Sequence, residues 1–406
     1  MAADDGLSNT VDVINESTAL VASAADPRRY QNRLIYRLEV ILFTALLSSI
    51  SGQFQAVYIA NYWQVHREEL SIIIPDFPHQ NITHDTINRV LGMLPPQILA
   101  KWLLSLGVPL LEASPQRVFH VDGQAVRASK TEKAQSGRYF FNMYESSTHL
   151  LVGQLLIEEK TNEITASLQM FDLVDFRPSD IVTSDALNTQ KHLARELTER
   201  QILWCFAVKS NQPKLYNEII YHFNHIDESR FGVEKSVDKG HGRIETRITH
   251  VLPARVLSKD ILRDWCGLEN GCIIRATNIV ERIDKPTTID TRYFIFSKKF
   301  EKPTSGEDCA DVIRRHWLVE AFHWLCDNVF YQDRTQIKNE VYLQNEILLS
   351  KVGINILTKC QESKRMLGGK ALSISAIRNI ASTPLLALQV LHYSGLFNKM
   401  PKFSLC

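Results

Sequence analysis

The 406-residue chain has almost no surplus of charge: 46 Lys and Arg stand against 45 Asp and Glu, leaving a net charge of +1. No global basic field therefore advertises a polyanionic partner, and any such partner must be met by local basic patches. Cysteine is sparse and unpaired. Cys205, Cys266, Cys272, Cys309, Cys326, Cys360 and Cys406 are scattered without a C-x-x-C pair. That fits reduced thiols in a cytosol better than a disulfide framework or a zinc ribbon. Long apolar runs are missing too. The most apolar stretch near the N-terminus, Val40 to Ile50, is about half a membrane span, contains Thr and Ser, and reads as a buried helix. The opening "MAADDGLSNT" is acidic and polar and lacks a signal-peptide pattern. Internal repeats and low-complexity tracts are also lacking.

What is present is the composition of a soluble globular protein, 45% apolar and 22% charged, with length enough for two or three domains and a large core. Residues 1–28 are small and polar and predict a flexible tail. Residues 29–112 predict a helical N-terminal domain. There "RLIYRLEVILFTALLSSISG" ends on Gly52 as a C-cap, Thr83 or Asp85 caps a second helix, and Pro95-Pro96 break the pattern.

From about 116 the texture becomes mixed. "RVFHVD", "GRYFFNMYESS" and "HLLVGQLLIEE" read as three successive strands, "DIVTSDA" as a fourth and "ILWCFAVKSNQ" as a fifth, with helices between the later ones. The pattern predicts an α/β fold with a mixed five-stranded sheet. A β-rich stretch follows over about 213–300, then an amphipathic helix, "CADVIRRHWLVEAFHWLCDNVF", and a C-terminal helical segment over 336–406.

Two apolar strands end on a carboxylate, "FHVD" at Asp122 and "VTSD" at Asp185. On the late helix His316, Glu320, His323 and Asp327 are spaced by 4, 3 and 4 and share one face. Three carboxylates from two strands and a helix suit Mg²⁺, which takes oxygen ligands and shares phosphate oxygens. Two such ions about 3.5–4 Å apart can serve phosphodiester chemistry. Each acid alone has a plainer reading: Asp122 before Gly123 is a turn residue, Asp185 a strand-to-helix cap, Glu320 a solvated helix position. Trp317 and Trp324 are most simply core packing. A zinc hydrolase is disfavoured, because the order His316, Glu320, His323 is not H-E-x-x-H.

The ordered motifs "FHVDGQAVRAS", "SDALNTQ", "AVKSNQ", "HGRIETR", "YFIFS" and "HWLVEAFHWLCDNVFYQD" together resemble the H-repeat-associated (ISAs-type) DDE transposases of bacterial insertion sequences. "YRLEVILFTALLSSISG" resembles that family's associated N-terminal domain. The resemblance spans about residues 28–360. It implies an RNase H-like catalytic domain over 113–335, with the β-rich stretch inserted between its last core strand and its final helix. It also implies Asp122, Asp185 and Glu320 as the catalytic, metal-binding triad, with Mg²⁺ as cofactor and Mn²⁺ able to substitute. In that reading Asp122 ends its strand because it binds the ion, and Gly123 makes the turn beyond it.

The activity implied is metal-dependent cleavage of element ends and strand transfer, by a homodimer on double-stranded DNA, in the bacterial cytoplasm and associated with the nucleoid. Gln124, Asn188, Leu318, Val319 and Ala321 replace residues usual in the family, which leaves open a catalytically inactive DNA-binding relative or a nuclease without joining activity. Phosphate contacts must come from local charge. Arg243 and Arg247 on one strand face are candidates, as are Lys209, Asn211 and Gln212 at the end of the fifth strand, and Arg315 and His316 beside Arg314. Their plainer readings are a salt-bridged exposed strand and an ordinary polar helix face.

Overall fold

A computed structural model describes residues 2–28, 34–130, 137–157, 163–186, 189–240, 242–301, 305–363 and 372–397. Seven helices come first: α1 (Ala2–Ala25), α2 (Leu38–Ile50), α3 (Ala56–Val65), α4 (Arg67–Ile73), α5 (His84–Leu91), α6 (Pro96–Ser105) and α7 (Val108–Ala113). The local signals act as read. Gly52, just beyond α2, takes φ +81°, Thr83 Oγ1 caps α5 by accepting from the Thr86 amide, and Pro96 opens α6. Val40 to Ile50 is buried throughout. Among the described residues no helix is long and apolar enough to cross a membrane.

The flexible tail expected over 1–28 is instead largely helix α1. Thr10, Ile14, Ser17, Thr18 and Val21 recur at helical spacing and are buried. Small side chains let α1 approach α2, α6 and α15 closely, and polar ones find partners: Trp102 Nε1 donates to Ser17 Oγ at 2.5 Å, and Thr10 Oγ1 bonds His392 Nδ1 at 2.9 Å. A polar, small-residue composition that looked like a solvated tail is a close-packing helix face.

The middle of the chain runs β1 (Val118–Val126), β2 (Arg138–Glu145), β3 (Leu150–Ile157), α8 (Glu163–Phe171), β4 (Ile181–Ser184), α9 (Lys191–Glu199) and β5 (Leu203–Val208). It continues through α10 (Pro213–His225), β6 (Gly232–Gly240), β7 (Arg243–Pro253), α11 (Lys259–Asp264), β8 (Cys272–Arg282) and β9 (Lys285–Phe296). Then come α12 (Ser305–Asn328), α13 (Glu340–Ser363), α14 (Ile374–Ile380) and α15 (Pro384–Ser394).

The sheet is mixed but has nine strands rather than five, in the order β3-β2-β1-β4-β5-β9-β8-β7-β6. β1 pairs antiparallel with β2 and parallel with β4, and β4 parallel with β5. The β-rich stretch joins the same sheet because β9 pairs antiparallel with β5, Cys205 with Phe296 and Val208 with Tyr293, through buried apolar residues. That stretch opens with a helix, α10, which the alternation of its strands did not announce. Leu215, Ile219 and Phe223, four apart, are its buried stripe.

The C-terminal segment is helical. Its long helix α13 is buried from Asn345 to Leu357 and packs against α2, α6, α15 and β3. Among the described residues no two cysteines form a disulfide, and Cys406 lies outside the described residues.

Candidate active site

β1 does not stop at Asp122. Asp122 pairs with Asn142 and Gly123 with Phe141, and the strand runs on to Val126. Gly123 is therefore not a turn residue. A Cβ there would lie 2.1–2.3 Å from the Tyr139 ring, so the glycine makes room for a tyrosine laid across the strand. Asp185, by contrast, does follow its strand end directly. Because Val121 is level with Ser184 on the parallel partner, Asp122 and Asp185 come next on adjacent strands.

Helix α12 covers this edge. Alternation puts His120, Asp122 and Gln124 on one face of β1, and α12 meets that face with the residues at spacings 4, 3 and 4. Strand neighbours two apart are about 6.7 Å distant and helix residues four apart rise about 6 Å, so the two rows stay in step. Thr183 Oγ1 bridges the stack, 2.6 Å from His120 Nδ1 and 2.8 Å from His316 Nδ1. His323 Nδ1 stands 3.4 Å from Asp122 Oδ2, and Gln124 Nε2 donates to Asp327 Oδ1 at 2.8 Å.

The electrostatics follow from this stack. Burial works to raise the Asp122 carboxyl, but the hydrogen bond from His323, the pull of the His323 and His316 rings and the Gly123 amide outweigh it and hold it below its ordinary value. Glu320 is raised, by burial first and then by the negative charge of Asp122, against the pull of Arg292, His323 and Lys209. Burial lowers His316 despite the attraction of Asp122 and Asp185.

Asp122, Asp185 and Glu320 line one cavity of about 1020 Å³, together with His316, Lys209, Arg247, Arg292, Arg314 and Trp317. The far wall is the face of β6 to β9. An all-carboxylate donor set has the chemistry of a hard, oxygen-seeking cation such as Mg²⁺. Among the described residues no three acidic, His or Cys side chains are gathered closely enough to hold an ion as they stand. The repulsion from Asp122 that adds to burial in raising Glu320 is a force a divalent ion would cancel.

The other candidate residues divide. Lys209, Arg247 and His316 line the cavity. Arg247 is ion-paired with Asp238 and Glu245. Arg243 pairs with Glu245 at 2.8 Å further out along β7. The amides of Asn211 and Gln212 hold the loop after Asp185, donating to Ala186 O at 2.7 Å and Thr189 O at 3.0 Å. Arg315 bonds Asp311 and Ser147 Oγ instead of the cavity, which its neighbour Arg314 lines. Asn188 lies outside the described residues. Trp317 and Trp324 are 41% and 58% exposed, so neither is core. Arg292 also lines the cavity, and nothing local in the sequence marks it, because only the β5–β9 pairing brings its strand to the site.

A chain with these features is matched by the family model described as a transposase DDE domain over residues 113–356, and by the DDE_Tnp_1-associated model over residues 19–106. The chain belongs to the transposase DDE-domain family. It is 26% identical over 358 residues to "H repeat-associated putative transposase YhhI" of Escherichia coli K12, covering 86% of this chain and 92% of that one. It is 30% identical over 285 residues to an uncharacterized protein in the dhlA 3′ region of Xanthobacter autotrophicus, covering 67% and 91%. A solved piggyBac transposase synaptic complex with hairpin DNA matches at a TM-score of 0.39 and 12% identity over 95% of this chain and 79% of that one, a likeness too distant to carry an argument.

Proposed function

We propose that this protein is an insertion-sequence transposase that cleaves the ends of its element and joins the freed 3′-OH to target DNA, with Asp122, Asp185 and Glu320 as ligands for Mg²⁺ or Mn²⁺. The observation that carries the reading is the level placement of Asp122 and Asp185 on adjacent parallel strands, with Glu320 on the helix above, in one cavity whose walls also carry Lys209, Arg247, Arg292 and Arg314 among further carboxylates. The strand order β3-β2-β1-β4-β5 supports an RNase H-like core. In that reading α10 to β9 are an insertion ahead of α12.

When bound, divalent ions would supply an activated oxygen nucleophile and neutralise charge at the leaving oxygen. The chain's own residues do the rest. Lys209, Arg247, Arg292 and Arg314 supply positive charge for backbone phosphates, which orients the duplex without reading its sequence. Arg247 must exchange Asp238 and Glu245 for phosphate to take part. His323 holds the Asp122 carboxylate at Oδ2. Two element ends brought together imply a homodimer on DNA, working in the bacterial nucleoid.

The test uses purified protein and labelled DNA carrying the element's two ends, with Mg²⁺, Mn²⁺ or EDTA. Cleavage and joining that need metal, and are lost in Asp122→Asn, Asp185→Asn and Glu320→Gln, are expected. Cleavage indifferent to all three substitutions would refute the site. Specific end-binding without cleavage would make the protein a DNA-binding relative, and cleavage without joining a nuclease.

A further inference from the structure

Behind Asp122 lies a buried polar chain that the triad does not account for. Asn142, the cross-strand partner of Asp122, and Lys351, in the middle of α13, are both fully buried. Lys351 Nζ donates to Asn142 Oδ1 at 2.8 Å and stands 5.2 Å from the Phe140 ring. Asn142 Nδ2 is 3.1 Å from His323 Nε2, and His323 Nδ1 faces Asp122 Oδ2.

The donor and acceptor chemistry along this chain allows one assignment. An ammonium has no acceptor, so the Asn142 atom facing Lys351 is its oxygen. Its NH₂ therefore points at His323, and the nitrogen it meets, Nε2, must accept. The imidazole proton then sits on Nδ1 and is donated to Asp122. A lysine in the mostly apolar stretch "ILLSKVGINIL" is costly to bury, and burial pushes its ammonium down to about 8. Packing alone would be served as well by methionine.

We infer that Lys351 and Asn142 are positioning residues for Asp122, acting through His323, whose Nδ1–H tautomer they fix so that Oδ2 is held, while Oδ1, which accepts from the Gly123 amide, keeps a second lone pair for the metal. The inference rests on the reading of Asp122 as a metal ligand. It couples the C-terminal helix α13 to the site through hydrogen bonds.

The test is a long-range ¹H–¹⁵N correlation spectrum of the full-length chain labelled with ¹⁵N-histidine, with His323 assigned by His323→Asn. The wild type is expected to show a protonated Nδ1 and a bare Nε2. In Asn142→Asp the group facing Nε2 becomes an acceptor, so Nε2 should gain a proton while Nδ1, still facing Asp122, keeps its own. Lys351→Met, close to isosteric, should leave the fold intact and lower Mn²⁺ affinity about 10- to 100-fold, the usual effect of losing a partner behind a metal ligand. In His323→Asn, whose amide nitrogen replaces Nδ1, Lys351→Met should have no further effect.

A His323 proton on Nε2 in the wild type, or a spectrum unchanged by Asn142→Asp, overturns the relay. So does Mn²⁺ affinity unchanged by Lys351→Met while Asp122→Asn abolishes it. Mn²⁺ binding unchanged by Asp122→Asn defeats the metal-site reading instead, and the histidine spectrum still decides the tautomer.

Discussion

The Arg292 guanidinium lies 4.3 Å above the Trp317 ring, joining the far wall of the cavity to the helix that carries Glu320. Its Nε also donates to Asp290 at 2.8 Å. Arg292→Ala is expected to shift tryptophan emission, change stability by no more than about 0.5 kcal/mol, and reduce the salt slope of DNA binding by about one. Fluorescence anisotropy across a potassium chloride series reads the slope. An unchanged slope would mean that the guanidinium stays with Asp290 and Trp317 when DNA binds.

Gly123 predicts a steric phenotype. Gly123→Ala forces a methyl into the Tyr139 ring and should cost about 1–3 kcal/mol in urea unfolding. Tyr139→Ser should remove most of that cost in the double variant, since the two groups meet directly. Equal costs in both backgrounds would point to backbone rather than ring as the obstacle.

The starts of β1 and β4 are held by a buried ion pair. Arg117 Nη2 meets Asp180 Oδ2 at 2.5 Å and its Nε meets Oδ1 at 3.1 Å, with both side chains about 5% exposed or less. Asp180→Ala would strand a buried guanidinium and should destabilise the fold by about 3–5 kcal/mol. Arg117→Met with Asp180→Leu should recover most of it. Because these residues stand just before the two strands that carry Asp122 and Asp185, the single variant should also weaken metal binding, as calorimetry with Mn²⁺ would report.

Glu346, buried in α13, predicts the pH dependence of stability. Burial raises its carboxyl to about 8 against the hydrogen bonds of Tyr342 and Thr335, and its Oε2 has no hydrogen-bond partner among the described residues. The folded value exceeds the ordinary 4.5, so the stabilisation is full below about 4.5 and is lost as pH rises to about 8. The slope over that window is at most about 1.4 kcal/mol per pH unit. Lys351, lowered to about 8 from 10.5, acts with the opposite sign and only above about 8. Glu346→Gln should flatten the fall between pH 5 and 8, measured by urea unfolding at both.

Short-range pattern carried much of this protein. The strand alternation of β1 to β5, the stop at Gly52, the cap at Thr83, the start at Pro96, and the one-sided row from His316 to Asp327 each depend on neighbours within a turn or a strand. They were legible for that reason, and the six ordered motifs were enough to indicate the family. What stayed hidden depended on pairing across the chain. That Asp122 sits mid-strand is decided by β2 and the Tyr139 ring. That the β-rich stretch extends the first sheet is decided by β5 meeting β9. Residues 2–25 are a packed helix because distant helices α2, α6 and α15 offer a surface to small side chains. Lys351 stands 31 residues beyond Glu320, and nothing local ties it to Asp122. Hydrogen-bond direction through Asn142 does so, and that exists only once α12, α13 and β2 are stacked together.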